Sequence, residues 1–134
     1  MEEKHTDATA HRPRGERAID ASLVSIDLPL FMKQVKAEPA FESGHRNAIT
    51  VFKSNGLRIV LIALHEGASI AKHSTEGIIS VQVLEGDIEF STEEQCVRLA
   101  QGQMITLHER IPHSVIANSE AIFLLTIASS TNEK

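Results

Sequence analysis

Two periodicities divide the chain. Around SIDLPLFMKQVKAEPAF, Phe31 and Val35 stand four apart, the spacing of neighbours on one helical face. Asp27 offers a side-chain cap to the first turn, and Pro29 fits that turn because its missing N–H would find no helical partner there. Pro39 stops the run, so a short helix is expected between Asp27 and Pro39. From residue 48 the pattern changes to strands and tight turns. AITVFK and LRIVLIAL flank Ser54-Asn55-Gly56, and Asn-Gly between two such runs predicts a hairpin. IISVQVL, DIEFS, QCVRLA, QMITL, HSVIA and AIFLLTIA are further strand candidates, most of them separated by turns at Glu85-Gly86, Thr92-Glu93-Glu94, Gln101-Gly102 and Asn118-Ser119. Short strands with no helix between them predict an all-β fold, an antiparallel sandwich or barrel.

IVLIAL and AIFLLTIA are apolar at odd and even positions alike, whereas a strand with one wet face alternates. Something must cover their second face. The early helix hides part of it, and a second copy of the chain is the simplest cover for the rest, so a homodimer is expected. Residues 1–20 carry charge, Pro and Gly without apolar period and read as a flexible arm, leaving 21–134 as a single domain.

Composition narrows the function classes. The length of 134 residues suits one domain with a real core. A net charge of −5 argues against nucleic acid, because phosphate binding needs clustered Lys and Arg. The one basic cluster, HRPRGER, has acids nearby and reads as a solvated tail. No apolar stretch approaches the roughly 18 residues of a membrane span, and the polar N-terminus lacks the apolar segment of a secretory signal, so a cytoplasmic location is expected. Cys96 is alone, which excludes an intrachain disulfide and a multi-cysteine zinc site; within a strand pattern it reads as a packing residue. No phosphate-binding loop, dinucleotide fingerprint, nucleophile elbow or His-Glu-x-x-His motif is present.

Between Gly67 and Asn118 the chain resembles the two motifs of the cupins, small β-barrel proteins. The first motif, G-x(5)-H-x-H-x(3,4)-E-x(6)-G, spans 67–86 here: Gly67, His73 and Gly86 match, while Thr75 and Ile79 stand at the second histidine and the glutamate. The second, G-x(5)-P-x-G-x(2)-H-x(3)-N, spans 102–118: Gly102 and His113 match, with Pro112 before the histidine as in many cupins. His108 replaces the proline, Arg110 replaces the glycine, and the asparagine comes one residue late at Asn118. Fifteen residues lie between Gly86 and Gly102, a short gap that resembles small single-domain bacterial cupins of the RmlC-like type. The resemblance implies a cupin-type antiparallel barrel, a double-stranded β-helix or jelly roll, here with a short N-terminal helix.

Metal-binding cupins hold a divalent ion, Fe, Mn, Ni or Zn, with three imidazoles and one carboxylate. Residue-for-residue transfer leaves only His73 and His113, so a metal here would need His65 or His108 as a third ligand. Strand parity counted from His73 turns Thr75, Ile79, Val81 and Val83 inward and Ser80 and Gln82 outward. With His113 these form a pocket of two histidines and a hydroxyl in an apolar wall, which suits a small, largely apolar ligand with one polar group. Metal-free epimerases of this fold pair a histidine with an acid and a tyrosine, but no tyrosine exists in this chain, and Glu76 belongs to the turn STEG. Arg110 and Glu109 read as a solvated pair near the barrel mouth. Three functions follow: a small-molecule binding protein with a degenerate metal site; a metal-dependent dioxygenase or isomerase using His73, His113 and His65 or His108; and a non-catalytic structural or partner-binding dimer.

Overall fold

A computed structural model describes residues 4–6 and 17–129. Its elements are β1 (Lys4–Thr6), β2 (Arg17–Asp20), α1 (Leu28–Ala37), α2 (Pro39–Ser43), β3 (Arg46–Lys53), β4 (Leu57–Leu64), β5 (Ser69–His73), β6 (Ile78–Glu85), β7 (Asp87–Ser91), β8 (Cys96–Ala100), β9 (Met104–Leu107), β10 (His113–Ala117) and β11 (Ala121–Ala128). Every strand pairing is antiparallel. Within β4 to β11 the pairs nest: β4 with β11, β5 with β10, β6 with β9, and β7 with β8. That is one long hairpin, closed at its tip by the β7–β8 turn and rolled up on itself. Rolling produces two facing sheets, β3-β4-β11-β6-β9 and β5-β10-β7-β8. The result is the expected all-β jelly roll.

The first core lies between the sheets. Ile79, Val81 and Val83 of β6 and Phe123 of β11 meet Ile88 and Phe90 of β7 and Val115 of β10. Gly86 makes the corner where the chain leaves one sheet for the other: its φ is +75°, and an added Cβ would run into the carbonyl of Glu120. That corner is fixed by Asp87, whose carboxylate accepts from Ser119 Oγ at 2.7 Å and from the Arg98 guanidinium at 2.7 and 2.9 Å. The Ser119 and Arg98 hydrogen bonds hold this carboxyl below its ordinary pKa.

The second core answers why β4 and β11 are apolar on both faces. They are central strands, and α1 and α2 pack on the outer face of their sheet. Val35 and Phe41 of the helices bury Ile49, Leu61, Ala63 and Ile122 from that side. Each large aliphatic side chain so buried contributes about 1.5–3 kcal/mol. The helices thus cover part of that face within one chain, as expected, while Ile59, Leu84 and Leu124 beside them are only partly buried.

Local chemistry places these helices. Asp27 accepts from the Leu30 N–H at 3.2 Å, capping α1 as expected. Pro39 ends α1 and also opens α2, a short helix the sequence reading did not include, in the first-turn position proline favours. Buried Glu38 between them accepts from Gln34 at 2.9 Å and from Asn47 of β3 at 2.8 Å. Lys36 reaches Glu85 at 2.6 Å and Glu120 at 3.0 Å, tying α1 to the rim of the roll; the hydrogen bond to Glu85 is the main cause raising its pKa.

In the stretch expected as an arm, β1 and β2 pair, Lys4 opposite Asp20 and Thr6 opposite Arg17. Residues 1–3, 7–16 and 130–134, and with them most of the basic cluster, lie outside the described residues. The Asn55-Gly56 hairpin forms, but neither residue takes a positive φ, so the turn is not the primed type that usually favours this pair. No helix among the described residues is long and apolar enough to cross a membrane.

Candidate functional site

His73 ends β5 and His113 opens β10, and the two are direct cross-strand partners. Their ring centroids lie 4.4 Å apart with planes inclined at 58°. The difference in their exposure follows from strand position. β5 is an edge strand, so His73 is exposed at the rim, whereas β10 lies between β5 and β7 and His113 is only 4% exposed. His113 also stacks on Phe90, with centroids 5.3 Å apart.

Each ring is held the same way. Nδ1 of His73 lies 2.9 Å from the Ala71 carbonyl, and Nδ1 of His113 lies 2.9 Å from the Ile111 carbonyl. A carbonyl can only accept, so each Nδ1 carries a proton, and in the neutral ring each Nε2 is left with a free lone pair. Burial pushes the His113 pKa below its ordinary value; its bond to Ile111 opposes this, and neighbouring His73 adds to the lowering. Neutral, each ring presents its Nε2 as an acceptor.

The pair borders a cavity of about 440 Å³ between the sheets. Its wall is apolar: Ile62 of β4, Ile79 and Val81 of β6, Val115 of β10, and Phe123 and Leu125 of β11. Ile70 of β5 also lines it, although it stands three residues from His73 and simple alternation would turn it away. A bulge explains this. His113 pairs with His73 but Val115 pairs with Ile70, so β5 carries one extra residue there and its parity resets.

Of the residues expected in the pocket, His73, Ile79, Val81 and His113 line this cavity together. Val83 is fully buried in the core between the sheets but is not among the lining residues. Thr75 does not line the cavity either. β5 ends at His73, so alternation does not extend to Thr75, whose carbonyl accepts from the Arg110 N–H at 2.7 Å in the loop. Arg46 was missed. It opens β3, whose alternation sets it opposite Asn47, and Asn47 turns toward α1. Reading the strand from residue 48 left that signal out.

Neither proposed third metal ligand joins the pair. His65 stacks on Phe41 at 3.8 Å, its Nε2 lies 2.6 Å from the Phe41 carbonyl, and its Nδ1 is 3.9 Å from Glu120, on the helix side of the sheet. His108 is exposed, 3.4 Å from Glu109. Arg110 pairs with Glu76 at 3.7 Å. Among the described residues, no group of three or more His, Cys, Asp or Glu side chains is placed to hold a metal ion. Ile79, at the family's carboxylate position, is 2% exposed in the apolar wall. Two neutral nitrogen donors with no carboxylate do not fit a divalent centre, because nothing offsets the ion's charge in a low-dielectric wall. Arg110, at the family's glycine position, keeps the left-handed conformation a glycine would take, with φ 62°.

No family model matches the chain, and no curated protein matches it. Solved structures do. A conserved protein of unknown function from Streptococcus pyogenes is 26% identical, with 85% of this chain and 93% of that one covered and a TM-score of 0.68. An RmlC-like cupin from Desulfovibrio desulfuricans is 28% identical over 63% of this chain and 82% of its own, with a TM-score of 0.58. A cupin-2 domain protein from Shewanella frigidimarina, at 14% identity and a TM-score of 0.63, covers 77% of this chain and 93% of its own, a likeness of fold alone.

Proposed function

We propose that this chain, a member of the cupin superfamily by its fold, binds a small, largely apolar molecule through a hydrogen-bond donor on that molecule. The observation that carries this reading is the cross-strand imidazole pair, both Nδ1 atoms tied to backbone carbonyls, at the edge of an apolar cavity. Two Nε2 lone pairs await a donor, and the fixed tautomers mean no ring must reorganise to accept it. A volume of about 440 Å³ suits a small ligand, and the apolar wall supplies most of its affinity by excluding water. Since the donor set does not fit a divalent ion, the reading routes no chemistry through a metal.

The test uses ligands that differ by one hydroxyl. Small phenols, alcohols and hydroxy acids are compared, by thermal shift and calorimetric titration, with the same molecules lacking the hydroxyl. One neutral hydrogen bond is worth about 0.5–1.5 kcal/mol, so the hydroxyl should improve binding by roughly 2- to 13-fold. His73→Phe and His113→Phe should erase that advantage while leaving the affinity of the bare hydrocarbon in place. Binding that ignores the hydroxyl, or a hydroxyl preference that survives both variants, contradicts the reading.

A further inference from the structure

We infer that the bound molecule carries a carboxylate as well, and that Arg46 receives it. The inference rests on the proposed function, since it concerns the same cavity. Among the described residues lining the cavity, Arg46 is the one Lys or Arg, set among apolar side chains, the two imidazoles and Asn47. Asn47 is already committed, donating to Glu38 and to the Val35 carbonyl on the helix side. Four other cations have acidic partners, Lys36 with Glu85 and Glu120, Lys72 with Glu93, Arg98 with Asp87, and Arg110 with Glu76, whereas Lys53 and Arg58 share with Arg46 the lack of an ion pair among the described residues but do not line the cavity. Among the described residues, no carboxylate stands within ion-pair distance of Arg46.

An unpaired guanidinium at the edge of a cavity presents a planar fork of N–H donors that matches a carboxylate. The imidazoles belong to the sheet containing β5 and β10, and Arg46 to the facing sheet, so the two polar features stand on opposite walls. A ligand that satisfies both is an apolar body with a carboxylate at one end and a hydroxyl donor at the other. The class assigned is a small amphipathic hydroxycarboxylic acid.

Three probes separate the contributions: 4-hydroxyphenylacetate, its neutral amide 4-hydroxyphenylacetamide, and phenylacetate, which lacks the hydroxyl. Each is titrated calorimetrically into wild type, Arg46→Gln and His73→Phe. Arg46 is exposed at the start of a strand, so its replacement leaves both cores intact, and circular dichroism verifies the fold. The acid should bind wild type about tenfold more tightly than the amide, allowing for solvent screening at the rim. Arg46→Gln should abolish that preference, and added salt should erode it in wild type. Equal binding of acid and amide, or a preference that persists in Arg46→Gln, overturns the carboxylate assignment while the hydroxyl comparison still stands. No hydroxyl preference in wild type, or one that survives in His73→Phe, with the acid preference intact, would instead overturn the role given to the imidazoles. If none of the three probes binds, the assigned ligand class is wrong.

Discussion

Protonation of His113 offers a quantitative check on how that ring is held. It is 4% exposed, stacked on Phe90 and beside a second imidazole, and burial is the main cause lowering its pKa. In the unfolded chain the same ring titrates at its ordinary value, about 6.5. As pH falls through that value, the unfolded chain takes up a proton that the folded chain refuses. The folded state's stability is therefore fully present above the ordinary pKa and is lost toward acid. If the folded ring stays neutral, the loss between pH 7.5 and 5.5 reaches a ceiling of about 1.4 kcal/mol, one proton's linkage over that window. His113→Asn removes the titrating ring and keeps an N–H donor for the Ile111 carbonyl. The chain has no Trp and no Tyr, so urea unfolding is followed by far-ultraviolet circular dichroism at each pH. The variant will be less stable throughout because it leaves space beside Phe90; the informative quantity is the difference between the two proteins as a function of pH. That difference should shrink toward acid by up to about 1.4 kcal/mol. Parallel curves, or a difference that widens toward acid, refute the reasoning.

Other expectations concern the frame around the site. Gly86 and Gly102 both take positive φ, but only Gly86 has a carbonyl in the path of a Cβ. Gly102→Ala should cost about 1–2 kcal/mol by urea unfolding, and Gly86→Ala clearly more. At Arg110, relief of the left-handed backbone by Gly is offset by greater freedom of the unfolded chain and loss of the Glu76 pair. Arg110→Gly should therefore stay within about 1 kcal/mol of wild type, whereas Arg110→Val, branched at Cβ, should be the less stable variant. Leu61→Ala should cost about 2–5 kcal/mol. It should also couple to Val35→Ala by about 0.5 kcal/mol or more in a double-mutant cycle, since both sit in the core beneath the helices. Additive effects would mean that α1 does not cover that face.

The fold was legible where local chemistry and pattern agree. Asp27 and Pro29 marked the start of α1, and the Glu85-Gly86 corner and the strand runs marked the roll, because each is decided by a few adjacent residues. The nested pairing is not local, and no single run shows that β4 closes against β11. Doubly apolar strands correctly signalled two covered faces; the early helix covers part of the second through Val35, and α2, hidden behind a proline read only as a stop, adds Phe41. At the site, His73 and His113 were found through motif spacing. Parity then failed at Thr75, where the strand ends, and could not anticipate Ile70, where a bulge adds a residue. Arg46 escaped because it lies outside the motifs and two residues before the apolar run that marked β3.

The central claim is that His73 and His113 offer two unprotonated Nε2 atoms to a ligand's donor. Long-range proton–nitrogen NMR of the histidine rings at neutral pH tests it most directly. Both rings should appear as the Nδ1–H tautomer, and adding 4-hydroxyphenylacetate should shift their Nε2 resonances. An Nε2–H tautomer at either residue, or Nε2 signals that ignore the added compound while it binds, would contradict the account.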